Sequence, residues 1–109
     1  MYYTYMLRCE DNSIYTGMTS ELERRIHEHF SGENNCAKYT NWHKPIKFEI
    51  AWESSTRSLA SKLEFHIKKN LTKSQKEELI KDPQKLENLL KDKMDISEYR
   101  IVKKLKKLE

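Results

Sequence analysis

The chain has 109 residues, 35% of them charged and 37% hydrophobic, with 21 Lys+Arg against 17 Asp+Glu and a net charge of +4. That length suits one domain with a modest core, and the charge balance permits a nucleic-acid partner without demanding one. No apolar run approaches a membrane span, no signal-peptide pattern opens the chain, and Cys9 and Cys36 make no CxxC pair, so a reduced, cytoplasmic protein is expected.

Residues 2–8 read as a strand, 10–13 as a polar turn and 14–18 as a second strand, with Tyr5 and Tyr15 one in each. A helix follows. Ser20 and Glu23 fit a capping box, and Gly32 suits the left-handed stop. Arg25 and His29, four apart, share one face of it. A hairpin loop of odd length puts Tyr5 and Tyr15 on one side of the sheet, whereas an even one opposes them. From these four residues alone, a tyrosine-rich sheet surface with a solvated helix face is the favoured reading. His27-Glu28-His29 is no metal site, because i and i+2 do not share a helix face, and the four histidines complete no zinc pattern.

Residues 33–36 form a polar loop. Beyond it, Tyr39 and Trp42 interleave with Lys38, His43 and Lys44, which suits a nucleic-acid surface as well as two aromatics capping the core. A third strand, 46–52, alternates Ile46, Phe48, Ile50 and Trp52 onto one expected face. The simplest assembly is a three-stranded antiparallel sheet.

From Thr56 to about residue 69 a helix carries Leu59, Ala60, Leu63 and Ile67 as its buried stripe. Glu64 sits at the stripe's margin, where a carboxylate needs a cation. Lys68 would supply an ordinary i, i+4 partner; a divalent metal would supply a functional one. Ser74 and Glu77 suggest a further capping box, and Asp82-Pro83 the start of another short helix. Asp95 is expected to cap a last helix with Ile101, Val102, Leu105 and Leu108 inward and Lys103, Lys104, Lys106 and Lys107 outward.

With Tyr3-Thr4-Tyr5, Tyr15-Thr16-Gly17, Arg25, His29 and Glu64 in this order, the chain resembles the GIY-YIG nuclease superfamily, in particular its small single-domain bacterial members. The resemblance runs from about Tyr2 to Ile80. It takes in Ser31-Gly32, residues 37–40 with Pro45, and Lys68-Lys69 through Lys76-Glu77. It departs at Tyr3 (glycine in the family), at Thr4 and Thr16 (isoleucine), and at Gln75, where several branches carry asparagine.

The resemblance implies an α+β fold: a three-stranded antiparallel sheet flanked by helices over residues 1–80, with 81–109 as a helical C-terminal extension. It also implies a metal-dependent endonuclease acting on nicked, branched or damaged DNA. Glu64 would hold one Mg²⁺ or Mn²⁺ and Arg25 would bind phosphate oxygens. Tyr5 would serve as general base or relay, Tyr15 would position water or phosphate, and His29 would assist proton transfer. Gly17, Lys38, Lys44 and Lys69 would meet nucleic acid. Two other readings stand beside it: a non-catalytic nucleic-acid-binding module of the same fold, and an adaptor that takes a protein partner through the C-terminal helices.

Overall fold

The computed structural model describes residues 1–31, 43–103 and 105. In chain order come β1 (Tyr2–Cys9), β2 (Ile14–Thr19), α1 (Leu22–Ser31), β3 (Pro45–Ser54), α2 (Arg57–Asn70), α3 (Lys73–Lys81), α4 (Lys85–Leu90), a 3-10 turn (Ile96–Glu98) and β4 (Arg100–Val102). The strands make one antiparallel sheet in the order β2-β1-β3-β4. The expected α+β class holds, with four strands rather than three.

The β1–β2 ladder pairs Arg8 with Ile14, leaving residues 9–13 as an odd-length connection. Asp11 closes that turn by accepting from the Ser13 backbone N–H at 3.1 Å and from its hydroxyl at 2.6 Å. Asn12 takes the left-handed conformation (φ 69°), which asparagine tolerates. The odd length leaves Tyr5 and Tyr15 on one face.

That face also presents Leu7 and Ala51, and it is covered by Leu22 and Ile26 of α1 and by Leu105. On the opposite face Met6, Ile50 and Trp52 pack against Leu63 and Ile67 of α2, Leu79 of α3, and Leu86, Leu90 and Met94 beyond. β1 is thus buried on both sides. Thr4 ties it to α2 through a buried hydrogen bond from its hydroxyl to the Ala60 carbonyl, 2.8 Å.

Three expectations fail. β3 does not keep its apolar residues on one face. The β1–β3 register shifts between Met6 and Leu7, which moves Phe48 to the α1 side while Ile50 and Trp52 stay in the main core, and Ile46 is left exposed. A bulge breaks the period of two. The last helix is also absent among the described residues. Asp95 caps only the 3-10 turn, accepting from Ser97 N–H at 3.0 Å, and Arg100–Val102 then pairs with β3 as an edge strand. Leu86, Leu90 and Met94, beyond residue 80, pack in the same core as Met6 and Trp52. The capping box expected at Ser74 begins at Thr72 instead. Thr72 Oγ1 accepts from Gln75 N–H (3.1 Å) and Gln75 Oε1 accepts from Thr72 N–H (2.9 Å).

Arg8 fastens the hairpin to α3. Its two terminal nitrogens reach both Glu77 oxygens at 2.6 Å, and its Nε reaches Glu49 at 3.0 Å. This bidentate geometry raises the guanidinium pKa through the Glu77 bond foremost, and the same bond lowers Glu77 from the ordinary glutamate value. Replacing Arg8 by Met takes the nearer cation from Glu49, whose side chain is only 8% exposed and which keeps only Lys47 at 3.5 Å. We expect a loss of about 2 kcal/mol in urea unfolding. Because the Glu77 pKa is depressed in the fold, its contribution is complete above the ordinary value of 4.5 and lost as pH falls through the lower folded value. The Arg8→Met variant should therefore lose stability less steeply than wild type below that pH.

Candidate active site

β1 and β2 bring the two tyrosines together because a glycine stands between them. Gly17 is the ladder partner of Tyr5. A Cβ on residue 17 would lie 2.7 Å from the Tyr5 hydroxyl oxygen and 2.9 Å from Tyr15 Cε2. The missing side chain is what lets the phenol of Tyr5 lie across its neighbour. The Tyr5 and Tyr15 ring centroids are 6.1 Å apart and tilted by 48°.

α1 closes this space from above. His29, 1% exposed, places its ring 5.6 Å from Tyr5 and 5.1 Å from Tyr15, and its Nε2 makes a buried hydrogen bond of 2.7 Å with the Tyr5 hydroxyl. Burial dominates the titration of both groups. It raises the Tyr5 pKa, helped by Tyr15 and opposed by Arg25, so the resting phenol keeps its proton. It lowers His29 from 6.5 to about 4, with the positive charge of Arg25 adding to the shift and Glu28 opposing it. At neutral pH both members of the pair are uncharged. The sequence suggests a histidine poised near working pH; the buried ring instead is a neutral base. With Nδ1 carrying the proton, its Nε2 lone pair faces the Tyr5 O–H.

Arg25, one turn before His29, is held by Glu28, with Nη1 to Oε1 at 3.0 Å. Arg24 takes the other Glu28 oxygen at 2.9 Å. The Arg25 bond lowers the Glu28 pKa below the ordinary glutamate value. Glu28 is a site neighbour absent from the candidates read off the sequence, although its i, i+3 spacing from Arg25 is the signal for this pair.

Glu64 comes from α2 and lies at the edge of the main core, its side chain 22% exposed. Lys68 pairs with it at 3.1 Å, and the same ammonium lies 5.8 Å from the centroid of the Tyr15 ring. Lys68 therefore links Glu64 to the tyrosines. Among the described residues no cluster of three or more His, Cys, Asp or Glu side chains is placed to hold a metal. A single, partly exposed carboxylate with an exchangeable cation fits a Mg²⁺- or Mn²⁺-type ion that takes its other ligands from water and phosphate. It does not fit a closed zinc site.

The remaining nucleic-acid candidates are scattered. Lys44 is exposed beside the β1–β2 turn, where its carbonyl accepts from Glu10 N–H at 2.8 Å. Lys69 lies with its ammonium 5.6 Å from the Phe65 ring, about 140° round α2 from Glu64. Lys38, like Tyr39, Trp42 and Gly32, lies outside the described residues. Cys9 is free and buried. No helix among the described residues is long and apolar enough to cross a membrane.

Comparison with known proteins adds a family. The profile of the GIY-YIG catalytic domain matches residues 1–78. A UPF0213 protein of Fusobacterium nucleatum is 42% identical over 102 residues, spanning 94% of this chain and 96% of its own. One from Clostridium perfringens is 43% identical over 81 residues, spanning 73% of this chain and 83% of its own. The solution structure of the UPF0213 protein from Bacillus halodurans is 34% identical and covers 87% of this chain and all of its own, with a TM-score of 0.48.

Two outcomes follow from the geometry. Gly17→Ala must push a methyl into the Tyr5 hydroxyl, at a cost of about 1–3 kcal/mol of stability, and the Tyr5–His29 bond should lengthen or break, visible in the imidazole nitrogen shifts. For His29 the pKa is lowered in the fold, so its contribution is complete above pH 6.5 and lost as pH falls from there to about 4. That loss should be on the order of 3 kcal/mol, and His29→Gln should flatten the stability profile in that window.

Proposed function

The chain belongs to the GIY-YIG catalytic-domain family, whose members are in general divalent-metal-dependent nucleases, and we propose that it cleaves DNA phosphodiester bonds with Mg²⁺ or Mn²⁺. Nicked, branched or damaged DNA is the favoured substrate, because none of the elements among the described residues resembles a dedicated sequence reader. The observation that carries the reading is the buried, uncharged Tyr5–His29 pair beside Arg25.

In this mechanism the water oxygen attacks phosphorus and forms the new P–O bond while the bond to the leaving oxygen breaks. The proton released by the water passes to the phenol oxygen of Tyr5, as the phenol's own proton passes to His29 Nε2. No phenolate is needed at rest, which agrees with the raised Tyr5 pKa. Protonated His29 is then disfavoured by burial and by Arg25, so it sheds the proton readily for the next turnover. Arg25, oriented by Glu28, meets the phosphoryl oxygens with a charge that never titrates away. Tyr15 borders the phenol that would meet the water, and Gly17 makes the room that this phenol occupies. Glu64 would exchange Lys68 for the metal, which when bound neutralises charge on the phosphoryl oxygens. Lys38, Lys44 and Lys69 are proposed backbone contacts, and a cytoplasmic location is part of the same reading.

A non-catalytic DNA-binding module of this fold is the competing reading. To separate them, plain, nicked, flapped and four-way-junction DNAs are incubated with Mg²⁺ or Mn²⁺ and wild type, Glu64→Ala or Arg25→Ala. We expect wild type to cut at least one structured substrate, both variants to lose roughly 10²-fold or more in rate, and Glu64→Ala to keep its binding. Binding by all three proteins with no cutting by any would sink the catalytic reading.

A further inference from the structure

Lys76 is a cation without a counter-charge. It is half-buried in the first turn of α3, where its backbone N–H donates to the Thr72 carbonyl at 2.9 Å, and among the described residues its ammonium makes no hydrogen bond or ion pair. Its neighbours are themselves cations. Burial first, and then the charges of Lys68 and Lys73, lower its pKa below that of an ordinary lysine, with no carboxylate opposing them. Both neighbours are already engaged: Lys68 with Glu64 at 3.1 Å, and Lys73 with Glu77 at 3.6 Å and with the Asn12 carbonyl. The first turn of α3 carries no acidic residue, so the helix dipole also opposes the two lysines there. A half-buried ammonium crowded by like charge costs stability unless something anionic joins it. In this place the anion would sit next to Lys68, whose ammonium already reaches the Tyr15 ring and Glu64.

We propose that Lys76, together with Lys68, forms a phosphate site at the α2–α3 junction that holds a DNA backbone phosphate next to the one being cleaved. The inference rests on the nuclease reading above and extends it by giving the strand a direction: from the tyrosines, past Lys68, toward the start of α3. It also gives Lys68 somewhere to go. When Glu64 exchanges partners, the released ammonium meets the same phosphate chain instead of standing unpaired beside Lys76.

The test is DNA binding without turnover. A nicked duplex is titrated in EDTA over a range of salt concentrations, with wild type, Lys76→Met, Lys76→Gln, Lys76→Arg and, as a control, the exposed Lys91→Met. Lys76→Met and Lys76→Gln should each weaken binding by roughly fivefold or more and reduce the slope of log K against log salt by about one. Lys76→Arg should restore both, and Lys91→Met should change neither. The melting temperature of Lys76→Met should equal or exceed that of wild type, because an unpaired charge has been removed. Unchanged affinity and slope for Lys76→Met, or a loss equal to that of Lys91→Met, would overturn the site. Inorganic phosphate forms a second arm. Competition between free phosphate and DNA that persists in Lys76→Met, with no weakening of DNA binding by that substitution, would also overturn it. If wild type cuts DNA while Lys76→Met binds normally, the nuclease reading survives and this one falls. If wild type neither binds nor cuts, both fall.

Discussion

The pairing of Tyr5 with Gly17 across the β1–β2 ladder is the constraint on which the candidate site depends. It fixes the register that brings Tyr15 to the same side, and it leaves the void into which the Tyr5 hydroxyl turns. The turn at Asp11 and Asn12 sets that register through the odd-length connection. Once the phenol is buried there, α1 must offer it a partner that is not charged, and His29 is the residue that meets it. The electrostatics follow from the packing. Burial raises one pKa and lowers the other, and the pair settles into the state in which neither carries a charge.

Around this neutral centre the charges are arranged in pairs of very different strength. Arg8, Glu49 and Glu77 form a largely enclosed, bidentate cluster on the far side of the sheet, and taking Arg8 away leaves the two carboxylates only the longer contacts of Lys47 and Lys73, at 3.5 and 3.6 Å. Glu64 and Lys68 are an i, i+4 pair with side chains 22% and 51% exposed, of the kind worth only about 0.3–0.5 kcal/mol. The first cluster suits a permanent staple. The second suits a carboxylate that can change partners, because the exchange sacrifices so little.

Much of this was legible in the sequence. Helical spacing placed Arg25 and His29 on one face, loop parity stated the condition for the tyrosines, and Glu64 was read as marginal to its stripe with Lys68 as its ordinary partner. What was illegible depended on other parts of the chain. No local pattern reveals that β1 and β3 slip by one residue at Met6 and Leu7, so Phe48 was assigned to the wrong face. The C-terminal misreading has a similar cause. Ile101, Val102 and Leu105 match a helical stripe, but the open edge of β3 offers hydrogen bonds that an isolated short helix cannot equal, and the β-branched pair Ile101-Val102 favours a strand. Leu105 is still buried, against the Tyr5 face rather than along a helix. The shifts in pKa were also beyond reach, because they depend on burial rather than on spacing.

One departure from the family pattern turns out to have a structural use. Thr4 stands where the resemblance calls for isoleucine, and its hydroxyl donates to the Ala60 carbonyl in a buried bond. Thr4 precedes Tyr5 in β1, and Ala60 lies one helical turn before Glu64 in α2. That bond therefore joins the strand carrying the phenol to the helix carrying the carboxylate, although the two residues belong to opposite sides of the sheet. An isoleucine could fill the same volume but could not tie α2 to β1 by a directed bond, and on that side the helix would then be held by apolar packing, with the bond from the Tyr99 hydroxyl to the Leu59 carbonyl left at its start. Because hydrophobic contact is non-directional, a helix so held can slide by fractions of an ångström at little cost. A hydrogen bond to one particular carbonyl resists that motion. In this chain a threonine next to Tyr5 thus ties the strand of the candidate phenol to the helix of the candidate carboxylate.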